Sequence, residues 1–316
     1  MDVMPAPRII SLLPTATEIV LALGAGDCLA GVSHDHHLMP QMARLPVVNS
    51  LSYDDSRLSA AEIDALVSAT YARDESIYIL DAERLQALRP TLILTQELCD
   101  VCALTPTDLQ RCLARLDPQP QILSLHAQTV AAALDDMLRV ARALDREAAG
   151  LALVAQLRSR IEAVAARTRH LDRRPEVFCL EWPRPLYNAG HWTPELVELA
   201  GGRDRLAAPG AYSTRRPWEE LQAYDPEMIL GMVCGFSVER AAREMQCLRQ
   251  YPGWDNLRAV RNRQVWVLDG PRYFSQAGPG IVEGLELLAR IFHPTLFGPP
   301  PALRAFAELS SAHELV

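Results

Sequence analysis

Cysteine and histidine side chains in the first third of the sequence are suited to metal or redox chemistry. His34, His36 and His37 fall within four positions, and Cys99 and Cys102 form a Cys-x-x-Cys pair. Imidazoles and thiolates bind transition metals, and a thiol of lowered pKa in such a pair exchanges disulfides. One interpretation is therefore a cytoplasmic metal-handling or redox protein. The alternatives are a solvated polar loop and structural thiols, because a zinc site needs two ligands beyond the cysteine pair.

Aromatic residues form a second informative group. All five tryptophans lie in the second half of the chain, and Trp182 and Trp192 stand near Tyr187 and Tyr212 at a predicted strand end and helix start. Tryptophan and tyrosine rings offer large, rigid contact area at low entropic cost. The pattern predicts a flat, apolar ligand held mainly by the second half of the protein. The alternative is that some of these rings fill the core or cover helix ends.

Common catalytic and phosphate-binding motifs are absent from the sequence. It contains no Gly-x-Ser-x-Gly, no Gly-x-x-x-x-Gly-Lys, and no Gly-x-Gly-x-x-Gly after a predicted strand. The sequence therefore favours a binding protein over an enzyme.

Composition restricts the possible partners and location. The 316 residues carry a net charge of −8, with 49% hydrophobic and 22% charged residues, as expected of a globular protein. The sequence shows no basic stretch interleaved with aromatics, which argues against nucleic-acid binding, and no apolar run long enough to span a membrane. The start of the chain shows no secretory signal, and the seven cysteines follow no disulfide pattern. We expect a cytoplasmic protein as encoded, or a periplasmic one if a leader has been removed.

The order of predicted elements indicates two α/β lobes. Short apolar runs alternate with helical patterns in both halves, which is typical of parallel, doubly wound sheets. Residues 128–170 between them carry apolar side chains at helical spacing and contain no proline. We therefore predict two doubly wound lobes with parallel sheets, a long helical spine that joins them, and a ligand cleft between the lobes. The predicted limits are 8–126 for the N-terminal lobe, 127–147 for the spine helix, 148–298 for the C-terminal lobe and 299–316 for a tail.

An internal repeat supports the two-lobe prediction. Two stretches of the first half recur, weakly, in the second half. The matching stretches are 17–30 with 194–207 and 83–94 with 219–230. The second pair is the clearer one: each copy is a short helix, a proline and an apolar strand, and the alignment places Glu83 on Glu219.

Five stretches of the sequence together carry a resemblance to a known family. They are Ile10-Ser-Leu-Leu-Pro-Thr-Ala-Thr-Glu18, Gly31-Val-Ser-His34, Leu85-Gln-Ala-Leu-Arg-Pro90, Gly190-His-Trp-Thr-Pro-Glu-Leu-Val-Glu-Leu-Ala-Gly-Gly202 and Phe274-Ser-Gln-Ala-Gly-Pro279. With these motifs, about residues 8–293 resemble the helical-spine, class III substrate-binding proteins of ABC importers. Within that family the chain looks most like the vitamin B12 (cobalamin) and ferric-siderophore binders.

The resemblance implies non-catalytic binding of cobalamin or a related corrinoid in the inter-lobe cleft, with no cofactor required. Trp182, Trp192 and Tyr273 would pack on the macrocycle, while His34 or His191 would contact polar groups or the metal. The candidate ligand-binding residues are then His34, Trp182, Tyr187, His191, Trp192, Tyr212 and Tyr273.

The resemblance also implies a membrane partner, an ABC-importer permease. In the family, one acidic residue on each lobe docks on arginines of that partner, and by position these would be Glu83 and Glu219. Solvated helix glutamates are the alternative. A further alternative for the ligand is a ferric siderophore or heme, for which basic residues would contact the anionic groups. The candidate basic residues are Arg184, Arg215 and Arg272.

Overall fold

The computed structural model describes residues 7–35, 42–73, 75–96 and 116–301, which divide into two compact units. The main boundary falls between Ala155 and Gln156, and two short segments, Ser59–Ala61 and Gln128–Val130, group with the second unit. Each unit contains its own four-stranded sheet with helices. The predicted α/β class is confirmed, while the cleft between the lobes stays a prediction.

The elements of the described chain are short apart from four helices, which have 12 to 22 residues. The strands are β1 (Ile9–Ser11), β2 (Leu29–Val32), β3 (Asn49–Leu51), β4 (Tyr78–Leu80), β5 (Leu92–Gln96), β6 (Gln121–Leu125), β7 (Val177–Pro183), β8 (Leu186–Asn188), β9 (Met228–Gly231) and β10 (Val265–Val267). The α-helices are Pro14–Ala22, Ala60–Tyr71, Ala82–Leu88, Val130–Ala143, Glu147–Thr168, Thr193–Leu199, Trp218–Tyr224, Val238–Glu244, Arg258–Arg261, Gly270–Tyr273, Gly280–Phe292 and Pro294–Phe297.

The first unit is built on a parallel sheet of order β2-β1-β5-β6. Its central strand β1 is buried along its whole length, and Ile10 and Ile93 join one hydrophobic core with Leu85. A strand buried on both faces needs a continuous apolar run, which is the pattern that the sequence shows here. A separate antiparallel pair, β3 with β4, belongs to the same unit and was not predicted from the sequence.

The second unit has the same strand order with one change of direction. Its sheet runs β10-β9-β7-β8, in which β7, β9 and β10 are parallel and β8 is an antiparallel edge strand. Read from the other edge, the order β8-β7-β9-β10 matches β2-β1-β5-β6 of the first unit. Directly before β7, Glu176 also forms an isolated parallel bridge with Arg203.

The helix ends bear out the internal repeat. The helices Ala82–Leu88 and Trp218–Tyr224 both end at a left-handed residue, Arg89 at φ 45° and Asp225 at φ 44°, before proline and a strand. The helices Pro14–Ala22 and Thr193–Leu199 are each followed by a glycine with positive φ, Gly24 and Gly201. In both cases the N–H groups of the glycine and of the next residue donate to carbonyls in the last turn of the helix. This is the glycine stop that releases a chain from a helix.

The predicted spine consists of two helices. Val130–Ala143 buries its apolar stripe as expected, but the chain turns at residues 144–146, where Asp145 has a positive φ of 54°. The boundary between the units falls within the next helix, Glu147–Thr168. Gly150 lets this helix approach its predecessor, because a Cβ there would lie 2.4 Å from Cβ of Ala141. The predicted residue limits of the lobes and spine stay predictions.

A carboxylate completes the edge of β7 where a strand is missing. The Cys179 backbone N–H donates to Asp204 at 3.0 Å, and the Leu206 N–H donates to the same carboxylate at 2.9 Å. Burial raises the Asp204 pKa to about 6, although these hydrogen bonds and Arg216 act in the opposite direction. The side chain thus satisfies a strand N–H that would otherwise lack a partner.

Candidate functional site

The carboxyl ends of β7, β9 and β10 lie at one edge of the second sheet, because these strands are parallel. Trp182 stands at the end of β7, and its ring centroid lies 5.0 Å from that of Phe236, which follows β9. Tyr273 ends the short helix that follows β10. Ligands of open α/β sheets bind beyond the carboxyl ends of the strands, so we take this edge as the candidate site.

Two segments that follow the end of β8 are closely paired with each other. Because β8 is antiparallel to β7, its end lies beside Cys179 and not at the carboxyl end of β7. The His191 N–H donates to the Ala211 carbonyl at 2.6 Å, and the Gly210 N–H donates to the His191 carbonyl at 2.9 Å. Asn188 accepts from the N–H and the hydroxyl of Thr214. We call segments 188–192 and 210–214 the paired loops. Gly190 is required between them, since a Cβ there would lie 2.3 Å from the Ser213 nitrogen.

Glu181 ties the paired loops to the end of β7. Its carboxylate accepts from the Ser213 hydroxyl at 2.8 Å and from the Gly190 backbone N–H. Desolvation raises the pKa of the carboxyl, and the two hydrogen bonds offset part of that rise. One partly buried side chain thus contacts both loops that carry candidate ligand-binding rings.

The paired loops bring three predicted ligand-binding residues together. The His191 ring lies 5.6 Å from the Trp192 ring and 5.4 Å from the Tyr212 ring, centroid to centroid, with Tyr212 in an edge contact. Trp192 is buried and Tyr212 is 52% exposed. In this cluster Tyr212 and the partly exposed His191 reach the surface, and the buried Trp192 ring packs against His191.

His191 is held in an uncommon state. Its φ is +56°, in the left-handed region that side chains other than glycine rarely adopt. Its Nδ1 and the Nε1 of Trp192 are buried, and neither has a hydrogen-bond partner among the described residues. Desolvation lowers the pKa of His191, which favours the neutral form of the ring. Backbone strain and unsatisfied polar atoms are features that cluster at binding sites.

Three arginines lie over aromatic rings on the elements around this edge. The Arg215 guanidinium carbon is 5.7 Å from the Tyr187 ring centroid, and the Arg215 Nε donates to the Tyr187 hydroxyl at 2.8 Å. Arg240 lies 3.9 Å from the Phe236 centroid, and Arg272 lies 4.9 Å from the Tyr273 centroid. Cation–π contacts orient these charges on the rings.

The remaining predicted ligand-binding residues fall in different places. Tyr187 pairs with Trp182 across β7 and β8, within the second unit. His34 lies in the first unit, where its backbone N–H donates to Asn49 at 2.7 Å and its Nε2 is 3.2 Å from an Asp35 oxygen. The structure therefore brings together His191, Trp192 and Tyr212, and separately Trp182 and Tyr187.

The candidate residues for metal binding, docking and anion binding are placed as follows. His36, His37, Cys99 and Cys102 lie outside the described residues. Within residues 7–35, 42–73, 75–96 and 116–301, no three His, Cys, Asp or Glu side chains are grouped to hold a metal ion. The docking candidates Glu83 and Glu219 are both exposed in the first turn of a helix. The anion-binding candidate Arg184 donates a hydrogen bond to Gln250 at 2.8 Å.

Glu181, Ser213 and Gly190 were missed as site residues. A signal existed for Glu181, which is a charged residue at the end of a predicted buried strand and directly precedes Trp182. Charged residues at such positions are often functional or paired. Ser213 and Gly190 gave no comparable signal, because their roles depend on a backbone approach between distant segments.

Residues 9–271 match the model of the periplasmic binding protein family, so the chain belongs to that family, which includes the class III substrate-binding proteins of ABC importers. The chain is 27% identical over 289 residues to the vitamin B12-binding protein of Vibrio cholerae, covering 89% of this chain and 87% of that protein. It is 21% identical over 295 residues to the uncharacterized ABC transporter substrate-binding lipoprotein YvrC of Bacillus subtilis, covering 92% and 81%.

A solved structure shows the same fold. The periplasmic heme-binding protein RhuT from Roseiflexus sp. RS-1 superposes with a TM-score of 0.69 at 23% identity, covering 92% of this chain and 99% of that one. The members of the family are solute-binding proteins and not enzymes, and they work with a permease and a small-molecule ligand.

The cytoplasmic location predicted from the sequence is not supported, because the family consists of periplasmic and lipoprotein binding proteins. That location was predicted from the start of the given sequence, and this stretch carries no information on where related proteins are located. Within the described residues, no helix combines the length and hydropathy that crossing a bilayer requires.

Replacing Glu181 tests whether it holds the paired loops. Glu181→Ala leaves the Ser213 hydroxyl and the Gly190 N–H without their acceptor, so we expect the free energy of unfolding to fall by about 1–3 kcal/mol. Glu181→Gln keeps one acceptor oxygen and should lose less. Denaturant unfolding measures both, with exposed Glu219→Ala as a control expected within about 0.5 kcal/mol of wild type. Equal effects of Glu181→Ala and Glu219→Ala would contradict the role of Glu181.

Proposed function

We propose that this protein binds cobalamin or a related corrinoid, without catalysing a reaction, as the substrate-binding component of an ABC importer. The observation that carries the proposal is the cluster of His191, Trp192 and Tyr212 on the paired loops. Binding sites for large ligands combine rigid aromatic surface with a few placed polar groups. The similarity to the Vibrio cholerae vitamin B12-binding protein supports the choice of ligand.

The proposed contacts follow from the exposure of each ring. Tyr212 is half exposed and supplies apolar surface for the macrocycle, while buried Trp192 fixes the ring of His191. Trp182 and Tyr273, at the carboxyl edge of the second sheet, are further proposed aromatic contacts. His34 stays a predicted contact from the first unit.

A heme or another tetrapyrrole with carboxylates is the second candidate. The observation that favours it is the set of three arginines, Arg215, Arg240 and Arg272, stacked on rings at this edge. Arginine is the side chain best suited to carboxylate recognition. The structural similarity to the heme-binding RhuT agrees with this candidate.

Titration with cyanocobalamin and hemin, followed by tryptophan fluorescence, tests the proposed function. We expect saturable quenching by cyanocobalamin in wild type and an affinity about tenfold or more weaker in Tyr212→Ala, because the variant loses an aromatic contact. Leu151→Ala is the matched control, since Leu151 is 53% exposed and lies on the helix Glu147–Thr168.

The outcomes separate the two ligands. Saturation by hemin alone would replace the corrinoid with the second candidate. Saturation by neither ligand at concentrations of about 100 µM would overturn the proposed function. Equal losses in Tyr212→Ala and Leu151→Ala would contradict the placement of the site.

We also propose that Glu83 and Glu219 dock on basic residues of the importer permease. Both are exposed, and the internal repeat gives them equivalent positions in helices of seven residues. Charge complementarity at exposed rims governs association and is weakened by salt.

Charge reversal tests the docking proposal. Glu83→Lys and Glu219→Lys should each reduce permease-dependent uptake of the ligand several-fold, because they place a positive charge against a positive surface. Glu239→Lys is the control, since Glu239 is also exposed in the first turn of a seven-residue helix. Ligand affinity, measured separately, should stay unchanged in all three variants. Uptake as fast in both docking variants as in the control would contradict the proposal.

A further inference from the structure

The hydrogen-bond environment of His191 differs from that of two other histidines. His34 has an Asp35 oxygen 3.2 Å from its Nε2, and His293 has the Gly201 carbonyl 3.2 Å from its Nε2. The Nδ1 of His191 is buried, and nothing in the described part of the chain bonds to it. The residue as a whole is partly exposed, and its Nε2 is not among the buried, unpartnered atoms of the described chain.

This environment decides where the single proton of the neutral ring resides. A neutral imidazole has one N–H donor and one lone-pair acceptor. A buried N–H without an acceptor is unfavourable, and buried donors without a partner are rarer in proteins than under-used acceptors. Placing the proton on Nδ1 would bury such a donor. Placing it on Nε2 lets the donor reach water or a ligand, so the Nε2–H tautomer is the favoured one.

The tautomer has a consequence for any metal in the ligand. A histidine that binds a metal through Nε2 carries its proton on Nδ1 and almost always donates it to a carboxylate, carbonyl or water. Among residues 7–35, 42–73, 75–96 and 116–301, His191 has no such acceptor. The positive φ of His191 and the close pairing at Gly190 hold the ring in this setting.

We propose that His191 donates a hydrogen bond from Nε2 to an oxygen at the rim of the bound macrocycle and does not ligate its metal. The inference rests on the proposed function and refines it, since it names the polar group that the paired loops recognise. An amide oxygen of a corrinoid and a carboxylate oxygen of a heme share this acceptor chemistry. The metal's axial position is then left to water, to a group of the ligand itself or to another side chain.

The tautomer can be tested on the ligand-free protein. Nitrogen-15 NMR of the imidazole rings, with His191→Gln used to assign the signals, distinguishes a protonated nitrogen from an unprotonated one. We expect a protonated Nε2 and an unprotonated Nδ1 in His191 at pH 7. A proton on Nδ1 would overturn the inference, whatever ligand the protein binds.

The contact can be tested with matched variants and two ligands, hydroxocobalamin and hemin. His191→Gln retains a side-chain N–H donor and should stay within about threefold of the wild-type affinity, while His191→Phe loses the donor and should bind about tenfold more weakly. The absorption bands on binding should be the same in wild type and His191→Gln.

Other outcomes of the binding and absorption measurements would contradict or refine the proposed His191 contact. A band shift that wild type shows and both variants lose would mean that the imidazole ligates the metal, and the inference would be wrong. A loss confined to hydroxocobalamin would identify an amide oxygen as the acceptor, and a loss confined to hemin would identify a carboxylate. If neither ligand bound to wild type, the proposed function would fail and the contact with it, while the NMR result would still decide the tautomer.

Discussion

The close pairing of segments 188–192 and 210–214 is the constraint on which the candidate site depends. Backbone hydrogen bonds join the segments, Gly190 leaves no room for a side chain between them, and Glu181 accepts hydrogen bonds from both. Through this pairing, His191 is forced into a left-handed backbone conformation and its ring is set against Trp192 and Tyr212. The surrounding hydrogen bonds stabilise this strained conformation. Rigid scaffolds position binding groups in the same way.

Most of the fold could be predicted from the sequence, because its signals are local and repeated. Glycine and proline stops mark the helix ends in both halves, and the alignment of Glu83 with Glu219 corresponds to matching helices with left-handed ends. The left-handed residue Asp145, which separates the two helices of the spine, is not marked by a glycine or proline in the sequence. The antiparallel direction of β8 was also missed, because a three-residue strand leaves too little pattern to indicate its direction.

The residues of the candidate site could be proposed from the sequence only in part, and the limit has a physical reason. Aromatic residues near strand ends and helix starts can be recognised from composition and position, which is how Trp192 and Tyr212 became candidates. The role of Glu181 requires knowing that Ser213, 32 residues away, returns to the same strand end. The tautomer of His191 depends on the lack of a hydrogen-bond partner for Nδ1 among the described residues, and no sequence pattern indicates such a lack. Long-range polar contacts are therefore the information that only the structure supplies.

The central claim is that the paired loops of the second unit bind the macrocycle. Hydrogen exchange of the backbone amides, measured by mass spectrometry with and without saturating cyanocobalamin, tests it most directly. Exchange reports local opening, and a ligand that contacts the loops raises the free energy of that opening. The account predicts slower exchange in peptides that cover residues 188–193 and 210–215. Saturating ligand with unchanged exchange in both segments would contradict it.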